Sequence, residues 1–343
     1  VTLVRIVKNW ERPDLRRQSP GRTGRWGEIQ FTQEPVEECD YLLVINYPNE
    51  PVELLCPPEN VWMLTMEPPI IAYKSLHAGV SSYARVYTQD ETLTGPRYRL
   101  SHPALPWQLE RDYDQLVHMA PPAKSGLLSC VSSNLAALPG HRARLRFLDR
   151  LREQVDFELY GRGFRPIADK WDGVAPFRYS LAIENYACPY YWTEKLADCY
   201  LAWTMPIYYG APNAADFFPA ESFVAIDIAD PDAPRQVQDV IASNRWRKNV
   251  EAIVEARRLV LDRWQLFPTI AGEIEADLAA AELEPEPERI VVPGHLPASF
   301  LLRLTPLAYT RPRRTLTALV TFLYGHWRAA VRLWRRATRR SRR

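Results

Sequence analysis

Short apolar runs at residues 3–7, 41–45, 61–65 and 84–88, set between longer polar and proline-rich stretches, predict four strands in the first third of the chain. A second series follows Pro121 and Pro122. Runs at 126–131, 157–160, 179–183, 206–209 and 223–226 read as strands, while 142–154 and the stretch after Thr193 read as helices. Strand and helix in turn, twice over, argue for α/β layers in each half. The double proline lacks two backbone donors and biases its predecessor to extended geometry. It is read as the hinge between a first domain, 1–121, and a second, 122–280.

The pattern changes again beyond residue 280. Glu-Pro-Glu-Pro-Glu at 284–288 and then Pro293-Gly294 give 281–314 the character of a stiff, Pro-rich linker. From 315 to 343, Leu316, Leu319, Val320, Leu323, Trp327, Val331 and Trp334 fall near helical spacing with arginines between them, which predicts a basic amphipathic helix.

Composition fits this division. With 47% apolar and 24% charged residues over 343 positions, the chain has the material for two cores and is not of the disordered class. The net charge of +2 hides an asymmetry: thirteen arginines and no acidic residue lie in 289–343, so residues 1–288 carry −11. The five cysteines, widely spaced and without a CxxC pair, suggest neither a disulfide framework nor a zinc site. No run approaches the roughly 18 consecutive apolar residues of a spanning helix, and no charged leader with an apolar run opens the chain. The expected placement is cytoplasmic and peripheral, with the aromatic and arginine-rich tail lying on an anionic membrane surface at the inner face. A nucleic-acid-binding arm is the competing use of such a tail; the interleaved aromatics favour lipid, and no nucleic acid is expected.

Chemistry concentrates between Phe177 and Gly210. The apolar run 179–183 ends at Glu184-Asn185, and ligands gather at the carboxyl ends of strands in α/β folds. Thr193 is a good N-cap, and Leu196, Cys199, Tyr200 and Trp203 recur on one face of the helix it would start. Such a helix start offers free N–H groups to a phosphate, and Lys195 in the first turn would add a positive charge. Plain capping explains the same residues and is the reading that periodicity alone favours. Glu67 follows the apolar run 61–64 and precedes Pro68-Pro69, a position open both to a carboxylate aimed into a cleft and to an exposed turn glutamate. There is no Asp-x-Asp ahead of a strand end and no His pair at ligand spacing, so no metal site and no required cofactor are expected.

Three spaced motifs carry a resemblance. Tyr179-Ser-Leu-Ala-Ile-Glu-Asn185, Tyr191-Trp-Thr-Glu-Lys195 and Pro206-Ile-Tyr-Tyr-Gly210, closed by Phe218-Pro-Ala-Glu-Ser-Phe223, resemble the donor-domain signature of the α-1,3-fucosyltransferase family, glycosyltransferase family 10. Ser132-Ser133-Asn134, Tyr160-Gly161-Arg162-Gly163 and Thr65-Met66-Glu67-Pro68-Pro69 agree with it. The chain departs from the family at Ile183, where an aromatic is usual, and at Trp192.

The resemblance implies a GT-B fold: two Rossmann-like domains facing across a cleft, with the nucleotide held by the second. It implies an inverting transfer of fucose from GDP-fucose to a glycan hydroxyl of cell-surface or lipopolysaccharide type, with Glu67 as general base and no essential metal. The family's spacing selects Arg144 over Arg142 and Arg146 for the diphosphate. Asn185, Tyr191, Glu194 and Lys195 complete the donor set, with Ser133 and Asn134 behind them. Two other readings stay open: the same mechanism with another nucleotide sugar, and a noncatalytic nucleotide-sugar or nucleic-acid-binding protein.

Overall fold

Every apolar run of the first third becomes a strand of one sheet. The computed structural model describes residues 1–70, 79–281 and 285–294. Strands β1 (Thr2–Lys8), β2 (Arg25–Trp26), β3 (Ile29–Thr32), β4 (Tyr41–Ile45), β6 (Val61–Leu64), β7 (Arg85–Thr88) and β8 (Tyr98–Leu100) line up as β2-β3-β1-β4-β6-β7-β8, and β5 (Val52–Cys56) stands outside this sheet. All neighbours are parallel except the β2/β3 pair. β4 and β6 are buried at every position, as central parallel strands covered on both faces must be. Alternation along β4 sends Tyr41, Leu43 and Ile45 into one apolar cluster and Leu42 and Val44 into another.

A connector over 101–112 leads to α1 (Tyr113–His118), whose cap Asp112 and Gln115 bond each other's backbone N–H. The second sheet then builds from β9 (Gly126–Val131), α2 (Pro139–Arg152), β10 (Glu158–Tyr160), α3 (Lys170–Val174), β11 (Phe177–Ile183), α4 (Glu194–Leu201), β12 (Met205–Tyr209) and β13 (Val224–Ala225). Its order is β10-β9-β11-β12-β13, parallel throughout. Helix α2 starts three residues before the predicted 142, because Pro139 fits the first helical position. That start brings Gly140 and His141 into the first turn. Helices α5 (Ala233–Ala242), α6 (Arg245–Lys248) and α7 (Val250–Leu259) complete this half.

Two doubly wound α/β units of the kind a GT-B enzyme is built from are therefore present, with a refinement of topology. In each sheet the first parallel strand lies between the second and the third: β1 between β3 and β4, and β9 between β10 and β11. This is the flavodoxin-like order, and it sets a switch point beside β1 and beside β9.

The predicted boundaries at 280 and 281 need correction. Helix α8 (Leu266–Ala280) was assigned to the second domain, yet its Leu266, Phe267, Ile270, Ala271 and Ile274 complete the core of the first sheet. Phe267 meets Phe31 edge-on at 5.0 Å, Tyr41 and Tyr87 donate to Asp277 and Glu273, and Arg85 pairs with Asp277. The physical reason is the apolar face of β1, β4 and β6, which a helix must cover. Likewise β14 (Glu288–Val292), expected within a linker, pairs antiparallel with β5. The rest of the predicted linker beyond 294 and the amphipathic tail 315–343 lie outside the described residues.

The chain thus crosses between the sheets twice, and the two crossings meet. His102 of the connector stacks on Trp192 at 4.6 Å and 17°, with Phe217 and Trp264 presenting edges to it at 5.6 Å. Trp264 donates to the Phe217 carbonyl in the second half, while the next residue, Gln265, donates to the Gln18 carbonyl in the first and caps α8. Among the described residues no helix is long and apolar enough to cross a membrane.

Candidate functional site

The carboxyl ends of β9 and β11 open at the second sheet's switch point, and a cleft of about 390 Å³ lies there. Its walls come from the loop after β9 (Ser132, Ser133), the first turns of α2 (His141, Arg144), the end of β11 (Ile183, Asn185) and the start of α4 (Glu194, Lys195). Glycine keeps the walls close. A Cβ at Gly140 would run into the Asn185 carbonyl, and Gly161, with φ +109°, passes against the Ser132 carbonyl.

Three cations face this cleft, and their partners differ. Lys195 Nζ donates to the carboxylate of Glu184 at 2.9 Å and lies 3.5 Å from Glu194. Lys170 Nζ pairs with Asp198 at 2.6 Å, and Asp198 also accepts the Gln108 N–H at 3.0 Å. Arg144 makes no ion pair among the described residues: its fork donates to Asn185 Oδ1 at 2.6 Å and to the Ser133 carbonyl at 3.3 Å. Arg144 Nε and Ser132 Oγ are buried without a hydrogen-bond partner. Burial pulls the Arg144 guanidinium below its usual range, so the charge is held there at a cost. A planar cation with an unpartnered N–H, beside an unpartnered hydroxyl, is a ready receptor for phosphate oxygens.

The start of α4 departs from the sequence reading. Glu184 is fully buried, and its carboxylate takes the Thr193 N–H at 2.9 Å and the Thr193 hydroxyl at 2.7 Å besides Lys195. The protein's own anion therefore already sits at the helix start that was expected to hold phosphate. Burial works against the Lys195 ammonium, but Glu184 and Glu194 outweigh it and hold its pKa above the ordinary lysine range.

Of the predicted residues, Arg144, Asn185, Glu194, Lys195 and Ser133 come together around the cleft. Arg142 and Arg146, the alternatives to Arg144, are exposed and do not line it. Tyr191 is 4% exposed and is not part of the lining; it packs at the turn before α4, and its N–H bonds the Cys188 carbonyl. Asn134 stands against Gly163 instead. Glu67 is partly exposed just past the carboxyl end of β6, after Met66, whose N–H is held by Asn46 Oδ1 at 2.8 Å; it is not among the cleft's lining residues.

Sequence reasoning placed Glu184 at a strand end without giving it a role, and missed Lys170, Asp198, His141 and Gln108. The readable signal was an acidic residue ending a wholly apolar strand and another, Asp198, between apolar neighbours of α4. Among the described residues no three His, Cys, Asp or Glu side chains are grouped to hold a metal ion.

Two buried histidines give this half an acid limit. Burial lowers His102 to about 3, and burial with the charges of Arg144, Lys195 and Arg142 lowers His141 to about 4. Unfolded, each binds a proton near pH 6.5. The unfolded chain is thus the better proton acceptor below about 6.5, and stability present above that pH is lost as pH falls toward 4. Between pH 7 and 5 each histidine should remove about 2 kcal/mol, read from urea unfolding at the two values. His102→Gln, which keeps an acceptor near the Ala104 N–H that His102 Nδ1 now accepts at 3.1 Å, should shrink the difference by roughly half.

Residues 121–243 match the model for glycosyltransferase family 10 (fucosyltransferase), C-terminal part. Over 142 residues the chain is 27% identical to the human 4-galactosyl-N-acetylglucosaminide 3-alpha-L-fucosyltransferase FUT6, covering 37% of this chain and 39% of that protein. Over 110 residues it is 32% identical to the alpha-(1,3)-fucosyltransferase FucT of Helicobacter pylori, covering 31% of this chain and 22% of that one. The chain thus spans about two fifths of the human relative's length or less. Among solved structures, an alpha1,3-fucosyltransferase with GDP-fucose overlays with a TM-score of 0.40 and 17% identity, covering 78% of this chain and 92% of the other.

Proposed function

We propose that the chain, whose residues 121–243 match the model for glycosyltransferase family 10, the fucosyltransferases, transfers fucose from GDP-fucose to a hydroxyl of a glycan acceptor, of cell-surface or lipopolysaccharide type, with inversion at the anomeric carbon. The observation that carries this reading is Arg144: a buried cation without an ion pair, at a doubly wound switch point, inside the matched segment. In the transfer, Glu67 deprotonates the acceptor hydroxyl, whose oxygen attacks the anomeric carbon from the face opposite the diphosphate. The bond to the diphosphate breaks, and the guanidinium meets the negative charge that develops there. Asn185, fixed by Arg144, and Glu194 are the polar groups available to hydroxyls of the donor. No metal enters the reading, because Arg144 supplies the charge.

The test is a thermal-shift screen across nucleotide sugars followed by donor turnover, since a ligand that binds only the folded state raises the melting temperature by mass action. GDP and GDP-fucose should stabilise the protein above other nucleotide sugars. Glu67→Gln should abolish transfer, by about a hundredfold or more, with GDP binding unchanged. A chain that no purine diphosphate stabilises would refute the donor site. A stronger response to a different nucleotide sugar would replace fucose. The tail 315–343 is assigned to an anionic membrane surface on its sequence, and equal sedimentation with anionic liposomes after its deletion would remove that part.

A further inference from the structure

We propose that Cys39 and Cys56 are a reversible disulfide pair, whose oxidation staples the β5/β14 ribbon to the first sheet. The two are far from the cleft residues in sequence and take no part in the proposed transfer. Backbone register brings them together. Glu38 and Leu55 form a parallel bridge, in which Leu55 N–H donates to the Glu37 carbonyl at 2.8 Å and Cys39 N–H to the Leu55 carbonyl at 3.0 Å. One step further along the same register stand Cys39 and Cys56. Side chains alternate across a strand, so the exposed Glu38 and Leu55 point outward and both cysteines point inward. Both thiols are indeed buried in one apolar cluster, and they share a hydrogen bond. Neighbouring strands run about 4.8 Å apart, within the Cα separation a disulfide spans.

The surroundings distinguish Cys39 from the other cysteines, whereas Cys56, beside Cys39 and buried, is raised as they are. The Cys56 hydrogen bond, the Arg5 N–H and the nearby Arg5 guanidinium hold the Cys39 thiol below its ordinary range against the effect of burial. Arg5 Nη1 is buried without a hydrogen-bond partner. Burial instead pushes Cys130, Cys188 and Cys199 each up to about 12. Cys39 is therefore the thiol that ionises more readily, and Cys56 the one that resolves. Glu38 and Asp40 on either side of Cys39 are exposed, which leaves it one residue from solvent in both directions.

Hydrogen peroxide is a sufficient oxidant. The Cys39 thiolate attacks one peroxide oxygen, the O–O bond breaks, and the departing hydroxide takes a proton to become water. Cys56 sulfur then attacks the sulfenic sulfur, the S–O bond breaks, and hydroxide leaves with the Cys56 proton as a second water. Two thiols supply two electrons, and one peroxide becomes two waters. The bond joins β5, which carries β14, to the segment leading into β4, beside the backbone bridge at Glu38 and Leu55.

The experiment treats the full native chain with dilute hydrogen peroxide, alkylates the remaining thiols and maps peptides without reduction. The expected result is two of the five thiols lost, a peptide linking Cys39 to Cys56, and full recovery with dithiothreitol. Backbone amides of β14 should exchange with deuterium several-fold more slowly in the oxidised form. In Cys56→Ser the Cys39 sulfenic acid should persist and be trapped by dimedone. Five alkylatable thiols after treatment, or a link to any other cysteine, would overturn the pair, and a correct link with unchanged β14 exchange would overturn the staple. If Cys56→Ser does not fold, the peptide map of the wild-type chain decides alone.

Discussion

Arg144→Ala should lower affinity for GDP by a hundredfold or more while leaving the melting temperature of the free protein unchanged or slightly raised. Both halves follow from its surroundings. The guanidinium is 5% exposed, bonds only neutral acceptors and keeps Nε unpartnered. Removing it leaves no buried counter-charge stranded and relieves a desolvation cost. A diphosphate loses two charge-assisted hydrogen bonds, together about 3 kcal/mol or more. Arg144→Lys should recover only part of this, since an ammonium lacks the planar fork. Isothermal titration with GDP, beside melting curves without ligand, checks both. Tight GDP binding by Arg144→Ala would remove this residue from the donor site.

Glu184→Ala should have the opposite profile, a loss of about 3–5 kcal/mol in folding stability. The substitution strips Lys195 of its closest carboxylate and leaves the Thr193 N–H and hydroxyl without their acceptor. Glu184→Gln, able to accept from Thr193 but not to neutralise Lys195, should fall between. Urea unfolding at pH 7 measures the series, and a loss under about 1 kcal/mol for alanine would show that the Glu184–Lys195 pair contributes little.

These two residues mark how far the sequence could be read. The family resemblance singles out Arg144 among three arginines, and the helix places it on the buried side with Phe147, Leu148 and Leu151, while Arg142 and Arg146 are exposed. Strands β4 and β9 match their apolar runs at both ends, β4 because a wholly buried parallel strand needs uninterrupted apolar sequence. Glu184 could be seen at a strand end, but not that it folds beneath the next helix. That depends on the loop 185–192 turning back, which no local pattern encodes. The same limit applies to Lys170 and Asp198, paired over 28 positions of sequence, and to α8, whose apolar face gives no sign of which sheet it covers.

The meeting of the two crossings at His102 has a mechanical consequence. Two tethers side by side join the halves through one aromatic cluster of His102, Trp192, Phe217 and Trp264. Cutting the chain at 280 or before α8 is therefore not a neutral way to isolate either half. A fragment ending before Leu266 bares the apolar floor beneath Phe267 and Ile270, and expression boundaries are better drawn after β14, at residue 294.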